Sequence, residues 1–213
     1  EPNRDNLLRS YGEFTEPGGF LRGRENIEEL FVSESIEEVW QQFYHEEDNF
    51  HHAWTTMQST HQYLLTMNVF PEQYIKEEFD YIRSHFSKDK RDEYLKMDRE
   101  GRAIQMLPQF RSEILEGLNA WYKKMNAVGN IDYLGLTSDL YRYYNDIKPE
   151  YRSILVDEEQ DLGTLELAII RKLVKRNNND LFLAGDVTQR VYTKRYDIEK
   201  ADIEFDEFEI TKN

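Results

Sequence analysis

Ile154-Leu155-Val156-Asp157-Glu158-Glu159-Gln160-Asp161 and, further along, Leu181-Phe182-Leu183-Ala184-Gly185-Asp186-Val187-Thr188-Gln189 are the stretches whose reading decides the fold. Each opens as a short unbroken apolar run, the pattern of a parallel strand buried on both faces, and each run ends in acidic residues. Between them Leu165, Ala168, Ile169, Leu173 and Val174 recur at helical spacing. A strand, a helix and a second parallel strand joined by a right-handed crossover are therefore predicted, with Asn177-Asn178-Asn179 as a short polar loop. In an open α/β sheet ligands bind at the carboxyl ends of the strands, so two acidic tips on neighbouring strands can share one ligand. A third strand is expected at Phe208 to Thr211.

Upstream of Pro149 the pattern is helical. Gly12 to Gly23 offers turns rather than periodic burial. Ser35 and Glu38 have capping-box spacing, and Ile36, Val39, Trp40, Phe43, Phe50, Trp54 and Met57 then recur mostly at three- and four-residue steps, which predicts one long amphipathic helix. Pro71 suits the first turn of a second helix with a buried stripe of Ile75, Phe79, Ile82 and Phe86. A third starts after Pro108, carries Phe110, Ile114, Leu118, Trp121, Tyr122 and Met125, and stops at Gly129-Asn130. Another is expected from Asp132 to about Tyr144. The fold class is therefore α/β, with a mostly helical subdomain over residues 1–147 and part of a parallel sheet over 148–213.

The 213 residues carry 39% hydrophobic and 32% charged side chains with three Trp, 14 Tyr and 12 Phe, enough to build a core. No run approaches the roughly 18–20 apolar residues of a membrane span, and Glu1-Pro2-Asn3-Arg4-Asp5 lacks the pattern of a signal peptide, so no membrane partner and a cytoplasmic location are expected. The absence of Cys removes disulfides, thiolate nucleophiles and cysteine zinc sites together. A net charge of −15 argues against nonspecific coating of nucleic acid but leaves room for a local basic groove.

The chemistry sits at the strand ends. A nucleotide-hydrolysing site needs one acid to hold magnesium, often through water, and a second carboxylate to orient and deprotonate the attacking water. Asp157 and Glu158 supply that pair in adjacent positions. Val156-Asp157-Glu158-Glu159-Gln160-Asp161 followed by Leu183-Ala184-Gly185-Asp186-Val187-Thr188-Gln189-Arg190-Val191-Tyr192 resembles motifs II and III of the UvrD/Rep-like superfamily 1 DNA helicases. More loosely, Tyr94-Leu95 with Arg99-Glu100-Gly101-Arg102 and Ile131-Asp132-Tyr133-Leu134 look like the accessory helical insertion that precedes motif II, and Glu209 to Asn213 looks like the strand leading into motif IV.

The resemblance implies a RecA-like ATPase core using ATP and Mg2+, with Asp157 as the magnesium acid of the Walker B motif and Glu158 as the catalytic base. It implies that Gln160 and Asp161 link the ATP site to its neighbours, that Asp186 supports the motif III turn, that Gln189 senses the γ-phosphate, and that Tyr192 stacks on a base of single-stranded DNA. Lys194 and Arg195 follow Tyr192 as further nucleic-acid candidates. Arg190 stands where many relatives have Ser, and Thr193-Lys194-Arg195 replaces a more usual aromatic and Arg-Gly sequence. The implied function is part of a helicase or translocase motor that couples ATP hydrolysis to movement on single-stranded or partly duplex DNA.

A phosphate-binding P-loop needs Lys after a Gly-rich turn, and none of the ten Gly is followed by Lys. The start without Met and the end directly after a strand point to an excised segment. By itself the chain is expected to hydrolyse ATP negligibly, with the P-loop segment and the second motor domain of the same protein as its partners. The alternative is a noncatalytic helicase-like module that engages a protein. His45-Glu46-Glu47-Asp48 with His51 and His52 reads as a solvated helix face rather than a metal site. His61 and His85 read as surface or partly buried. The aromatic residues of the helical part read as core. Arg171, Lys172, Lys175 and Arg176 read first as helix-end cations favoured by the dipole, with phosphate contact as the second reading. Asp202 to Glu209 reads as an exposed loop and strand edge.

Overall fold

The computed structural model describes residues 33–45, 53–99, 101–186, 188 and 193–204. Within them α1 (Ser33–His45), α2 (Ala53–Thr66), α3 (Pro71–His85), a 3-10 helix (Lys88–Leu95), α4 (Pro108–Val128) and α5 (Tyr133–Tyr141) precede β1 (Ile154–Val156), α6 (Thr164–Leu173) and β2 (Leu181–Leu183). The predicted third strand, the turn-rich stretch at Gly12 to Gly23, and His51 and His52 lie outside the described residues.

Two prolines and a glycine set the helical punctuation. Pro71 and Pro108 sit in the first turns of α3 and α4, where a missing N–H costs nothing. Gly129 ends α4 in the left-handed conformation (φ 71°), the position a Cβ would strain. Asp132 caps α5 by accepting from the Gly135 N–H at 2.8 Å. The stripe Ile75, Phe79, Ile82 and Phe86 is buried, as are Phe110, Ile114, Leu118, Trp121 and Met125, and the aromatic residues pack as core: Trp40 meets Trp121 edge-on at 5.3 Å. Each such burial stabilises by roughly 1.5–3 kcal/mol.

The predicted single helix through Ile36 and Met57 is corrected. α1 and α2 fold back on each other, so that the Tyr44 hydroxyl lies 2.6 Å from His61 Nδ1. Seventeen positions of straight helix would hold those groups apart by about 25 Å. α1 also begins at Ser33, ahead of the expected Ser35 cap, and Met57 itself departs from helical geometry (φ −125°, ψ 30°). Its sulfur fills the space left by Gly117 of α4, where a Cβ would come within 2.2 Å of Sδ.

The helical part is also held by buried ion pairs. Glu78 is fully buried and accepts from Arg99 Nε at 2.7 Å and Nη2 at 2.6 Å, from Arg102 Nε at 2.9 Å and from the Tyr94 hydroxyl at 2.6 Å. Burial pushes this carboxyl up, but the Arg99 bonds and the Arg99 and Arg102 charges outweigh it and hold it below the ordinary value. Arg83, also buried, ties α3 to the α5 cap through Asp132.

β1 and β2 form a two-stranded parallel sheet in the register Ile154↔Leu181, Leu155↔Phe182 and Val156↔Leu183. α6 covers one face: Leu167 and Ala168 pack with Leu181, Leu183, Ala201 and Ile203. The expectation of strands buried on both faces is corrected here, because Leu155 and Phe182 are 77% and 58% exposed on the other face. Among the described residues no helix is long and apolar enough to cross a membrane.

The two parts meet where α3 and α5 pack on α6. A Cβ on Gly163 would lie 2.4 Å from Ser84 Cβ and 2.9 Å from Ser84 O, so this glycine permits the close approach. Beside it Thr164 Oγ1 donates to Arg195 O at 3.0 Å and lies 2.8 Å from His85 Nδ1, while Lys200 Nζ is 3.1 Å from His85 Nε2. The chain of donors makes His85 Nδ1 the protonated nitrogen and Nε2 the acceptor. His85 is therefore buried and wedged in the seam, not at the surface. Burial, with the Lys200 and Arg195 charges, pulls its pKa down to about 4.

Glu78→Gln leaves the buried Arg99 guanidinium without its carboxylate and Arg102 with Glu77 alone, and should destabilise the chain by about 3–5 kcal/mol, read as a fall in urea midpoint. His85 has a folded pKa below its unfolded one, so its contribution is complete above about pH 6.5 and is lost as pH falls toward 4, by about 3 kcal/mol at most. Urea midpoints at pH 7 and pH 5 should thus separate more for the wild type than for His85→Gln.

Candidate nucleotide site

The register of the sheet sets the candidate site. Because Val156 pairs with Leu183, the two chains leave the sheet side by side: Ala184 N donates to Val156 O at 2.8 Å and Glu159 N to Ala184 O at 2.9 Å. Asp157 and Glu158 follow one strand, Gly185 and Asp186 the other. Glu158 takes a left-handed backbone (φ 54°, ψ 41°) and starts the 3-10 turn Glu159–Asp161. For a residue with a Cβ that conformation costs on the order of 1 kcal/mol or more and needs support from its surroundings.

Gln160 supplies that support. Its side chain is buried, and the two ends of its amide face opposite ways: Nε2 donates to Glu158 Oε2 at 2.5 Å and Oε1 accepts from the Asp186 N–H at 3.0 Å. One amide thus bonds the loop after β1 to the loop after β2. Gly185 makes room for it, since a Cβ there would fall 2.4 Å from Gln160 Oε1 and 2.8 Å from Glu159 Cγ. Asp186 Oδ1 accepts from the Thr188 N–H at 2.9 Å and the Thr188 hydroxyl at 2.6 Å, an Asx-type turn that shapes the second loop.

Asp157 and Glu158 are exposed at this corner, and Asp157 Oδ1 accepts from the Glu158 N–H at 3.0 Å. Asp161 closes the 3-10 turn through its N–H to Glu158 O at 3.0 Å. Asp161 Oδ1 and Glu159 Oε2 are buried without a hydrogen-bond partner. Hard carboxylate oxygens of this kind suit Mg2+, which keeps much of its water and takes one or two protein acids. Asp157, Glu158, Gln160, Asp161 and Asp186 are therefore brought to one end of the sheet. Gln189 and Tyr192 lie outside the described residues.

Residues 193–195 run through the seam. Thr193 Oγ1 reaches Glu77 O at 3.4 Å, Lys194 Nζ pairs with both oxygens of Glu166 at 2.9 and 3.0 Å, and the Arg195 N–H donates to Ser84 Oγ at 2.9 Å. Lys194 is thus engaged inside the chain. Glu166 also accepts from the Gly163 N–H at 2.7 Å, so it caps α6 and anchors Lys194 together. Sequence reading missed this residue, although Gly163 and Glu166 stand at N-cap and N3 spacing. It also missed Ser84 and Thr164, whose partners lie far along the chain and leave no local signal. His45, read as part of a solvated face, pairs with Glu72 at 2.9 Å.

The sequence profile of the UvrD/REP helicase N-terminal domain matches residues 27–204. The chain is 31% identical over 144 residues, 63% of its length, to an ATP-dependent helicase/nuclease subunit of Staphylococcus haemolyticus, and spans 12% of that protein. It is 42% identical over 55 residues, 26% of its length and 4% of the relative's, to the protein of the same name from Lactobacillus delbrueckii subsp. bulgaricus. With the Lactobacillus acidophilus counterpart it shares 22% identity over 122 residues, 54% of this chain and 10% of that one. No solved structure matches it with comparable significance. The match across most of the chain, on a fold whose parallel strands carry their acids at one end, makes this chain a member of the family of UvrD/REP helicase N-terminal domains.

Proposed function

We propose that this chain forms one wall of the ATP site in a DNA helicase motor, the wall that holds the metal acid and the water-activating carboxylate. The observation that carries the reading is the Gln160 amide, which binds the Glu158 carboxylate and the Asp186 N–H at once and so fixes the two strand tips relative to each other. Asp157 would hold Mg2+ through water, and the bound ion would neutralise charge on the phosphates. Glu158 orients the attacking water and takes its proton. Gln160 positions Glu158, Asp161 and Asp186 shape the two loops, and Gln189 meets the γ-phosphate. Tyr192 offers a π-face to a base of single-stranded DNA, while Lys194 and Arg195 would contact the strand only on leaving Glu166 and Tyr81.

The P-loop and the second motor domain belong in this reading to sequence outside residues 1–213. The exposed Leu155 and Phe182 support it: an apolar sheet face of this kind is the face that further elements of a larger α/β domain cover. The relatives named above are ATP-dependent helicase/nuclease subunits, and the coupling of ATP hydrolysis to movement on DNA is proposed here by extension from them.

In the full-length protein, Glu158→Gln should lower DNA-stimulated ATP turnover by about 10²–10⁴-fold while ATP binding persists. Undiminished turnover would remove the role given to Glu158, whereas a parent protein without any ATP turnover would favour a noncatalytic interaction module. Gln160→Ala removes a hydrogen bond to a charged group, about 1.5–3 kcal/mol, and should lower kcat by about 10- to 100-fold with KM for ATP little changed. A change confined to KM would remove the positioning role assigned to Gln160.

A further inference from the structure

The end of the sheet opposite the acidic tips carries the other sign of charge. Tyr151 bridges Val174 in parallel, Lys175 N donates to Tyr151 O at 3.1 Å, and Glu150 N reaches Leu173 O at 2.9 Å, so residues 148–152 lie against residues 172–176. Lys148, Arg152 and Lys175 are exposed there and make no ion pair among the described residues. Lys172 lies beside them with its Nζ 4.8 Å from the ring of Tyr144, which stacks on Tyr141 at 4.9 Å. Two further cations are already neutralised, Arg171 by Asp180 and Arg176 by Asp202. Asp146 and Glu150 are exposed nearby and leave the surface net positive.

On a chain of net charge −15, unpaired cations gathered in one place repel one another while carboxylates abound to compensate them. We propose that this surface, built on Lys148, Arg152, Lys172 and Lys175, holds the sugar-phosphate backbone of a nucleic-acid strand. Neighbouring parallel segments stand about 5 Å apart, so the flexible heads of Arg152 and Lys175 can reach successive phosphates. The helicase reading favours a nucleic-acid strand over an acidic peptide, because a strand offers evenly spaced phosphates that several cations can bind in succession. The surface is separate from residues 193–195. α6, ten residues or roughly 15 Å long, runs between them, with Thr164 bonded to Arg195 at one end and Leu173 against Glu150 at the other. The proposal rests on the helicase reading for its ligand and adds to it a second point of contact with the strand.

The test uses the full-length protein and a fluorescent oligo-dT strand titrated over a range of salt. Neutralising the exposed cations together, Lys148→Gln with Arg152→Gln and Lys175→Gln, should weaken binding at least tenfold near 0.1 M salt. It should also reduce the slope of log K against log salt by about two, since each single-strand phosphate contact contributes about 0.7. ATP turnover without DNA should stay at the wild-type level, which also shows that the variant folds. A second variant, Lys175→Glu alone, should weaken binding further than Lys175→Gln. Wild-type affinity and slope in the triple variant, with DNA-stimulated turnover intact in the parent, would overturn this surface and leave the motor reading standing. Unchanged oligonucleotide binding with loss of a co-purifying acidic protein would assign the surface to a protein and equally overturn it. A parent protein that binds no strand and whose ATP turnover ignores DNA would remove the helicase reading and this surface together.

Discussion

The approach of Gly163 to Ser84 is the contact on which the rest of the arrangement depends. It sets α6 against α3 at a separation that no larger residue at position 163 would allow. Around it the polar groups of the seam bond one another: Ser84 Oγ takes the Arg195 N–H, Arg195 O takes Thr164 twice, and His85 joins Thr164 to Lys200. Both candidate loops leave the sheet tips and are followed in sequence by residues of this seam. Asp161 lies just before Gly163, and residues 193–195, just beyond the Asp186 turn, run through it. The positions of the acids at the sheet tips are therefore inherited from helix packing well away from them.

The two halves reach stability by different means. The helical part owns a large aromatic core and a buried charge cluster in which Glu78 answers two arginines. Such a cluster contributes little net energy against an apolar substitute, but removing one member is severe, so it fixes geometry more than it adds stability. Among the described residues the α/β part has a small core under α6 and two short strands, too little to stand alone in water. It leans on the helices through the seam and presents Leu155 and Phe182 outward. A rigid helical scaffold bearing a sheet that is open on one face suits a domain wall that other elements complete.

Much of this was legible in the sequence, and the reasons are local. Apolar runs of three residues gave both strands, Pro71 and Pro108 the starts of α3 and α4, Gly129 the end of α4, and Asp132 the cap of α5. What misled was also local. Periodicity continued from Ile36 to Met57, yet a phase-matched stripe on two packed helices reads the same as one on a single long helix. The strand runs looked doubly buried because composition reports what a face is suited to, not what covers it. Glu78, Ser84, His85 and Glu166 went unread as structural residues, because His85 and Thr164 are 79 positions apart and Ser84 and Arg195 are 111. No window on the chain contains both partners.

The candidate site follows the same division. The acids at positions 157, 158 and 186 announce themselves, but what makes them a unit is the side chain between them. Gln160 must accept from the Asp186 N–H and donate to the Glu158 carboxylate from one rigid plane. A Glu in its place would accept from Asp186 but repel Glu158; a Lys would satisfy Glu158 but offer nothing to Asp186; a Leu would fill the volume and leave the buried N–H unpaired. Only an amide carries both polarities at that span, and only a glycine at position 185 leaves room for it. A shift of the Asp186 loop must then either pull Glu158 with it or break one of two hydrogen bonds. That is a physical route by which an event at one strand tip alters the carboxylate at the other.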